Sequence, residues 1–175
     1  VFRLITIMRS NTMHQQPVKQ STLKKWDISF LLIPFSLYFI FKRGDYTLLD
    51  NIDLIIHESG HFFFMFFGDF IQMAGGTLMQ IIFPLFIAWY FYHNAYRTGV
   101  QIFVFWLGQN LVNISVYAAD ANKLKLHLIG GRHDWLYLLG KIGLLQSADA
   151  VGYFFFISAI LVFFGAALIP AYYEK

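Results

Sequence analysis

Between residues 28 and 172 the chain passes through five apolar stretches, 28–41, 48–67, 71–92, 100–119 and 150–172, separated by short polar breaks. No other feature constrains the fold as strongly. In a hydrocarbon layer every backbone N–H and C=O must be bonded within the protein, which leaves helices or closed barrels. A crossing helix takes about 20 residues. Runs of this length predict an all-α protein, a polytopic transmembrane helix bundle of about five spans with a re-entrant or interfacial loop. The first run reaches spanning length only if Leu23 and Trp26 start it at the interface. Composition agrees: charged residues make up 13% and hydrophobic ones 58%, where a soluble domain carries about 25% charged. At 175 residues there is room for one domain. Residues 1–27 are expected to be a mostly unstructured cytoplasmic tail and 28–175 a single transmembrane helical domain.

Five crossings with the amino terminus inside place Arg3, Arg9, Lys19, Lys24, Lys25, Lys123, Lys125, Arg132 and Lys141 on the cytoplasmic side. Lys42, Arg43, Arg97 and Lys175 fall opposite. Nine against four follows the positive-inside rule. The long polar segment 120–148 then lies on the side toward which the second stretch descends. The expected surroundings are the lipid bilayer, with no pattern that suits nucleic acid.

The second stretch contains His57-Glu58-Ser59-Gly60-His61. Residues four apart on a helix lie one above the other, so both imidazoles can face one metal ion. Glu58 stands beside that face, placed to take a proton from a water there. The chain has only two glutamates, Glu58 and Glu174. Burying a charged side chain in a span costs roughly 2.5–3.5 kcal/mol on insertion scales. A shared cation gives these three residues a reason to be there. Cysteine is absent, so any metal is held by His and carboxylate, with Zn2+ the default cation.

A catalytic zinc has three protein ligands, and the third must come from elsewhere. His14 lies in the tail, His93 at a turn on the far side, and His127 in the long loop. The stronger candidates are His133 and Asp134, which follow Gly130-Gly131, and Asp120. Asp134 is also expected to N-cap a short helix and Trp135 to anchor it at the interface. Asp120 ends a polar stripe of Asn110, Asn113 and Tyr117, whose spacing of three, four and three draws one helix face. That stripe suits either interhelical hydrogen bonding or the wall of a metal cavity. Gly75-Gly76 suits close helix packing.

The motif in a small polytopic chain, with an aspartate several dozen residues later, resembles the site-2 protease class of intramembrane zinc metalloproteases. The similarity covers roughly residues 48–139. It implies that His57, His61 and an aspartate hold zinc and that Glu58 activates water, so that a transmembrane or membrane-adjacent peptide is hydrolysed. In that family the aspartate sits in Leu-Asp-Gly, preceded by an asparagine and prolines. The nearest counterparts here are Asn113 with Ala119-Asp120-Ala121, or His133-Asp134-Trp135. Asn110 or Asn113 is the expected side-chain donor to the oxyanion. The alternative is a non-proteolytic metal-binding membrane protein or cation transporter, which accounts for the histidines but gives Glu58 no special role. Di-iron desaturase chemistry needs about eight histidines, and six are present.

Overall fold

The computed structural model describes residues 22–127 and 132–173. Among them six α-helices follow one another: α1 (Thr22–Phe41), α2 (Leu48–Phe64), α3 (Asp69–His93), α4 (Arg97–Ala119), α5 (Asp134–Lys141) and α6 (Ala148–Tyr172). Three segments, Asp69–His93, Arg97–Ala119 and Leu145–Tyr172, are long and apolar enough to cross a membrane. The first helix starts at Thr22, inside the segment expected to be tail, because residues 22–27 continue its turns at the bundle's end. Residues 1–21 and the glycine pair 130–131 lie outside the described residues.

The central helix is α4, packed along α6 on one side and α3 on the other, with α1 covering the α4–α6 seam. The core consists of Leu32, Phe105, Leu107, Leu111, Ile114, Ala159 and Phe163 among others. Small residues set the spacing: Gly108 lies against the Phe163 ring and Gly152 against Ala119 and the Ser115 carbonyl. Large apolar side chains such as Phe86, Phe154 and Phe164 point outward. This is the reverse of a soluble bundle, and it suits helices whose surroundings are as apolar as their interior. Polar atoms inside are bonded between helices. The buried Gln101 amide donates to Ser29 Oγ and the Ala166 carbonyl, and Ser29 Oγ donates to the Ala167 carbonyl.

The contacts also order the two ends of the bundle. At one end Arg97 meets Asp27, and the Tyr92 ring meets Tyr173. At the other, Arg43 donates to Ser115 Oγ and O and lies over the Phe156 ring, while Lys123 pairs with Asp149. The chain enters α2 from this second end. Since α3 runs antiparallel to α4 (Gln80 meets Asn113, Phe83 meets Trp106, Phe91 meets Phe103), the chain also leaves α2 there. Thus α1, α3, α4 and α6 run from end to end, while α2 begins and ends on one side.

Of the five spans expected from the apolar runs, three are long and apolar enough to cross a membrane, and α2 is not among them. The physical reason is that α2 carries Asp50, Asp53, Glu58 and two histidines on 17 residues. Lys42 and Arg43 move with it to the same end as Lys123, Lys125, Arg132 and Lys141. Only Lys24, Lys25 and Arg97 among the described cations sit at the end where α1 begins.

Candidate metal centre

The motif helix is pressed into α3 by glycines. A Cβ on Gly60 would collide with the Gly75 carbonyl, and one on Gly76 would occupy the His57 ring. The backbones of α2 and α3 can meet only because neither residue has a side chain. After α2 a 3-10 turn, Met65–Phe67, leads to Gly68, whose φ of +86° reverses the chain into α3. The close contact sets both imidazoles against α3. His61 Nδ1 lies 2.8 Å from the Gln72 carbonyl and His57 Nδ1 lies 3.0 Å from Gln80 Oε1.

Asp134 arrives from the far end of α4. Asp120 accepts from the backbone N–H of Lys125 and of Leu126, which bends the chain back after α4. The loop returns to α5, whose N-cap is His133: its Nδ1 accepts from the Leu136 N–H at 3.3 Å. The helix therefore begins one residue earlier than a cap at Asp134 would give, leaving the Asp134 carboxylate free for another task. The His133 ring stacks on Tyr117 with centroids 4.4 Å apart, and Tyr117 Oη accepts the Asp134 N–H at 3.0 Å. Trp135 packs on Phe155.

These elements bring three ligand atoms to one point. His57 Nε2 and Asp134 Oδ2 are 2.8 Å apart, His61 Nε2 and Asp134 Oδ2 3.1 Å, and the two Nε2 atoms 3.2 Å. Corners of a tetrahedron around a cation with bonds of about 2.0–2.1 Å lie roughly 3.3 Å apart, so the three atoms fit one face of it. The chemistry of the donors points the same way. A carbonyl oxygen can only accept, so His61 Nδ1 carries the proton facing Gln72, and in the neutral ring its Nε2 is left with a lone pair. His57, bonded to Gln80 Oε1, is held likewise. Two lone pairs and a carboxylate oxygen in mutual contact repel unless a positive charge lies among them. His57, His61 and Asp134 are the group among the described residues able to hold a metal ion. Without a cation, protons on the imidazoles take its place: burial opposes a charge on Asp134, but the hydrogen bonds these protons make outweigh it and pull the carboxyl down to about 2.

The other candidates fall elsewhere. His133 turns its Nε2 toward Asp120, 3.5 Å away, and holds α5 and Tyr117 in place rather than joining the cluster. Burial lowers the basicity of its imidazole, against the opposing pull of Asp120. Asp120 is spent on the loop. His93 packs against Trp89 at the opposite end. Glu58 borders a cavity of about 370 Å³ shared with His57, His61, Asn113, Tyr117 and Asp134, and its carboxylate has no hydrogen-bond partner among the described residues. His127 and Arg132 also line that cavity.

The polar stripe divides. Tyr117 and Asn113 reach the cavity, while Asn110 donates to the Trp106 carbonyl at 3.0 Å and does not. One Asn113 N–H is taken by Asp50 at 2.8 Å, so that amide is oriented by Asp50 and retains one further N–H. The sequence pattern does not single out Asp50, Gln72 or Gln80. Two signals were present: Asp50 stands seven residues before His57, two turns away on one helix face, and Gln80 is an amide within an apolar run. Gln72 contributes only its backbone, which no side-chain pattern reports.

No family model, curated protein or solved structure matches this chain.

Proposed function

We propose that the chain is a metal-dependent membrane peptidase that hydrolyses a transmembrane or membrane-adjacent peptide bond. On this reading α1, α3, α4 and α6 cross the bilayer, and α2 with α5 forms a re-entrant unit holding zinc. The observation that carries it is the convergence of His57 Nε2, His61 Nε2 and Asp134 Oδ2 beside an unpaired Glu58. A divalent cation held there supplies Lewis acidity to a water and to a substrate carbonyl.

The chain's own groups do the rest. Gln72 and Gln80 keep the imidazole lone pairs turned to the centre. Glu58 takes the proton of the attacking water and returns it to the departing amine. Tyr117, whose Oη accepts from the Asp134 N–H, keeps its own proton for donation into the cavity and is the oxyanion donor this geometry favours over the asparagines. The polar cavity admits water from the end of the bundle where α2 enters and leaves, while outward-facing rings such as Phe62 and Phe66 keep the unit in lipid.

The test uses the detergent-purified chain. About one zinc per chain is expected, lost in His57→Ala and Asp134→Ala. Glu58→Gln should keep the metal and lose hydrolysis of a fluorogenic transmembrane reporter peptide. Zinc that binds while neither wild type nor variant cleaves, with metal flux into vesicles that depends on His57, would instead favour a carrier. Absence of zinc binding after reconstitution would overturn both readings.

A further inference from the structure

We infer that Asp50 is a remote positioning residue for the metal centre, acting on His57 through a one-directional hydrogen-bond relay across Asn113 and Gln80. The inference rests on the reading of His57 as a metal ligand. The relay has three bonds: Asn113 Nδ2 to Asp50 Oδ1 at 2.8 Å, Gln80 Nε2 to Asn113 Oδ1 at 3.2 Å, and His57 Nδ1 to Gln80 Oε1 at 3.0 Å. It links α2 to α4, α4 to α3, and α3 back to α2.

Its direction follows from chemistry. An amide can turn either way, donating or accepting on each side. A relay of two amides therefore has two states, and in the reverse one Gln80 would donate to His57 Nδ1. The Nε2 atom would then carry the proton and could not bind a metal. Asp134, 2.8 Å from Nε2, would reward that reversal in the metal-free protein. The ionised carboxylate of Asp50 removes the ambiguity, since it can accept but never donate.

Its other oxygen is held by the Thr47 N–H and O–H, each at 2.6 Å, which fixes the carboxylate at the start of α2. The first histidine thus has a carboxylate partner of the kind that orients metal-bound imidazoles, but at the far end of two amides. Both ends of the amide pair's path are well shielded, Asp50 at 8% and Gln80 at 2% exposure, while Asn113 between them is half-buried at the cavity wall.

A charge exchange within the relay tests this. With Asp50→Asn alone, both directions are available and zinc affinity, measured by competition with a chelator, should fall roughly 10–100-fold. With Gln80→Glu alone, two carboxylates compete for the single Asn113 amide, whose oxygen then faces an acceptor; affinity should also fall. In the double variant Asp50→Asn/Gln80→Glu, the amide introduced at position 50 donates to Asn113 Oδ1, Asn113 donates to the carboxylate introduced at position 80, and that carboxylate accepts from His57 Nδ1. Every bond is remade, and affinity should return to within about threefold of wild type.

Thermal stability separates this from a structural role: the Thr47 contacts stay weakened in the double variant, so its melting temperature should remain below wild type while affinity recovers. A double variant no tighter than the single ones, or Asp50→Asn binding zinc like wild type, overturns the relay. Should wild type bind no zinc, the nitrogen chemical shifts of metal-free His57 decide it. Nδ1 protonated in wild type and bare in Asp50→Asn supports the relay, and no difference refutes it.

Discussion

Gly60→Ala is the perturbation that tests the architecture most directly. An added Cβ would lie 2.6 Å from the Gly75 carbonyl carbon and 2.8 Å from Met79 Cβ, where carbon atoms ordinarily sit about 3.5–4.0 Å apart. The obstacle is backbone, which no rotamer change removes, so α2 and α3 must part by roughly 1 Å. Such overpacking costs about 1–3 kcal/mol. The parting also stretches the bond from His61 Nδ1 to the Gln72 carbonyl, now 2.8 Å, past the useful limit, for about 1 kcal/mol more. A total of roughly 2–4 kcal/mol lowers the melting temperature by about 5 °C or more for a chain of this size. Because His61 then loses its orienting partner, zinc affinity should drop by about tenfold or more. Gly140→Ala is the control, with nothing within 4 Å of the new methyl and a helical site where alanine is favoured. Thermal unfolding in detergent and chelator competition read both quantities. If Gly60→Ala behaves like the control in both, the helices do not touch as described and the argument fails.

Other outcomes follow from the same contacts. His133→Ala should lower stability by about 0.5–2 kcal/mol through loss of the α5 cap while zinc still binds, whereas Asp134→Asn should abolish tight binding; equal zinc loss in both would make His133 a ligand after all. Chelation of bound zinc should lower the melting temperature, since an ion that binds only the folded chain contributes about 4 kcal/mol at a thousandfold excess over its Kd. In the metal-free protein the Asp134 carboxyl, held near 2 against an ordinary value of about 3.9, is depressed on folding. Its contribution is thus complete above about pH 4 and disappears as pH falls toward 2, which acid unfolding of wild type against Asp134→Asn would show. The chain has no cysteine, so single variants Lys42→Cys, Lys123→Cys and Arg97→Cys can be labelled cleanly by an impermeant thiol reagent in sealed vesicles. The first two should react from one side and the third from the other, whereas five alternating spans would separate Lys42 from Lys123.

Much of this protein is legible along the chain because its cause is local. Apolar runs of near-spanning length determine helices, since each helix satisfies its own backbone, and the helices fall within a few residues of those runs. The spacing of His57 and His61 determines that two imidazoles share a face, and Gly75-Gly76 signals a close approach. What tertiary structure decided are relations between helices, which no periodicity records. A hydrophobic run looks the same whether it crosses the bilayer or turns back, and only the contacts of Arg43 and of α3 reveal that α2 begins and ends on one side. Between His133 and Asp134 the chain offers adjacent candidates. The choice falls to Asp134 because His133 is spent capping α5 and stacking on Tyr117, a matter of which way one turn of helix faces. The relay from Asp50 to His57 lies furthest from the sequence. Its members are separated by 63, 33 and 23 residues at successive bonds and become neighbours only when three helices pack.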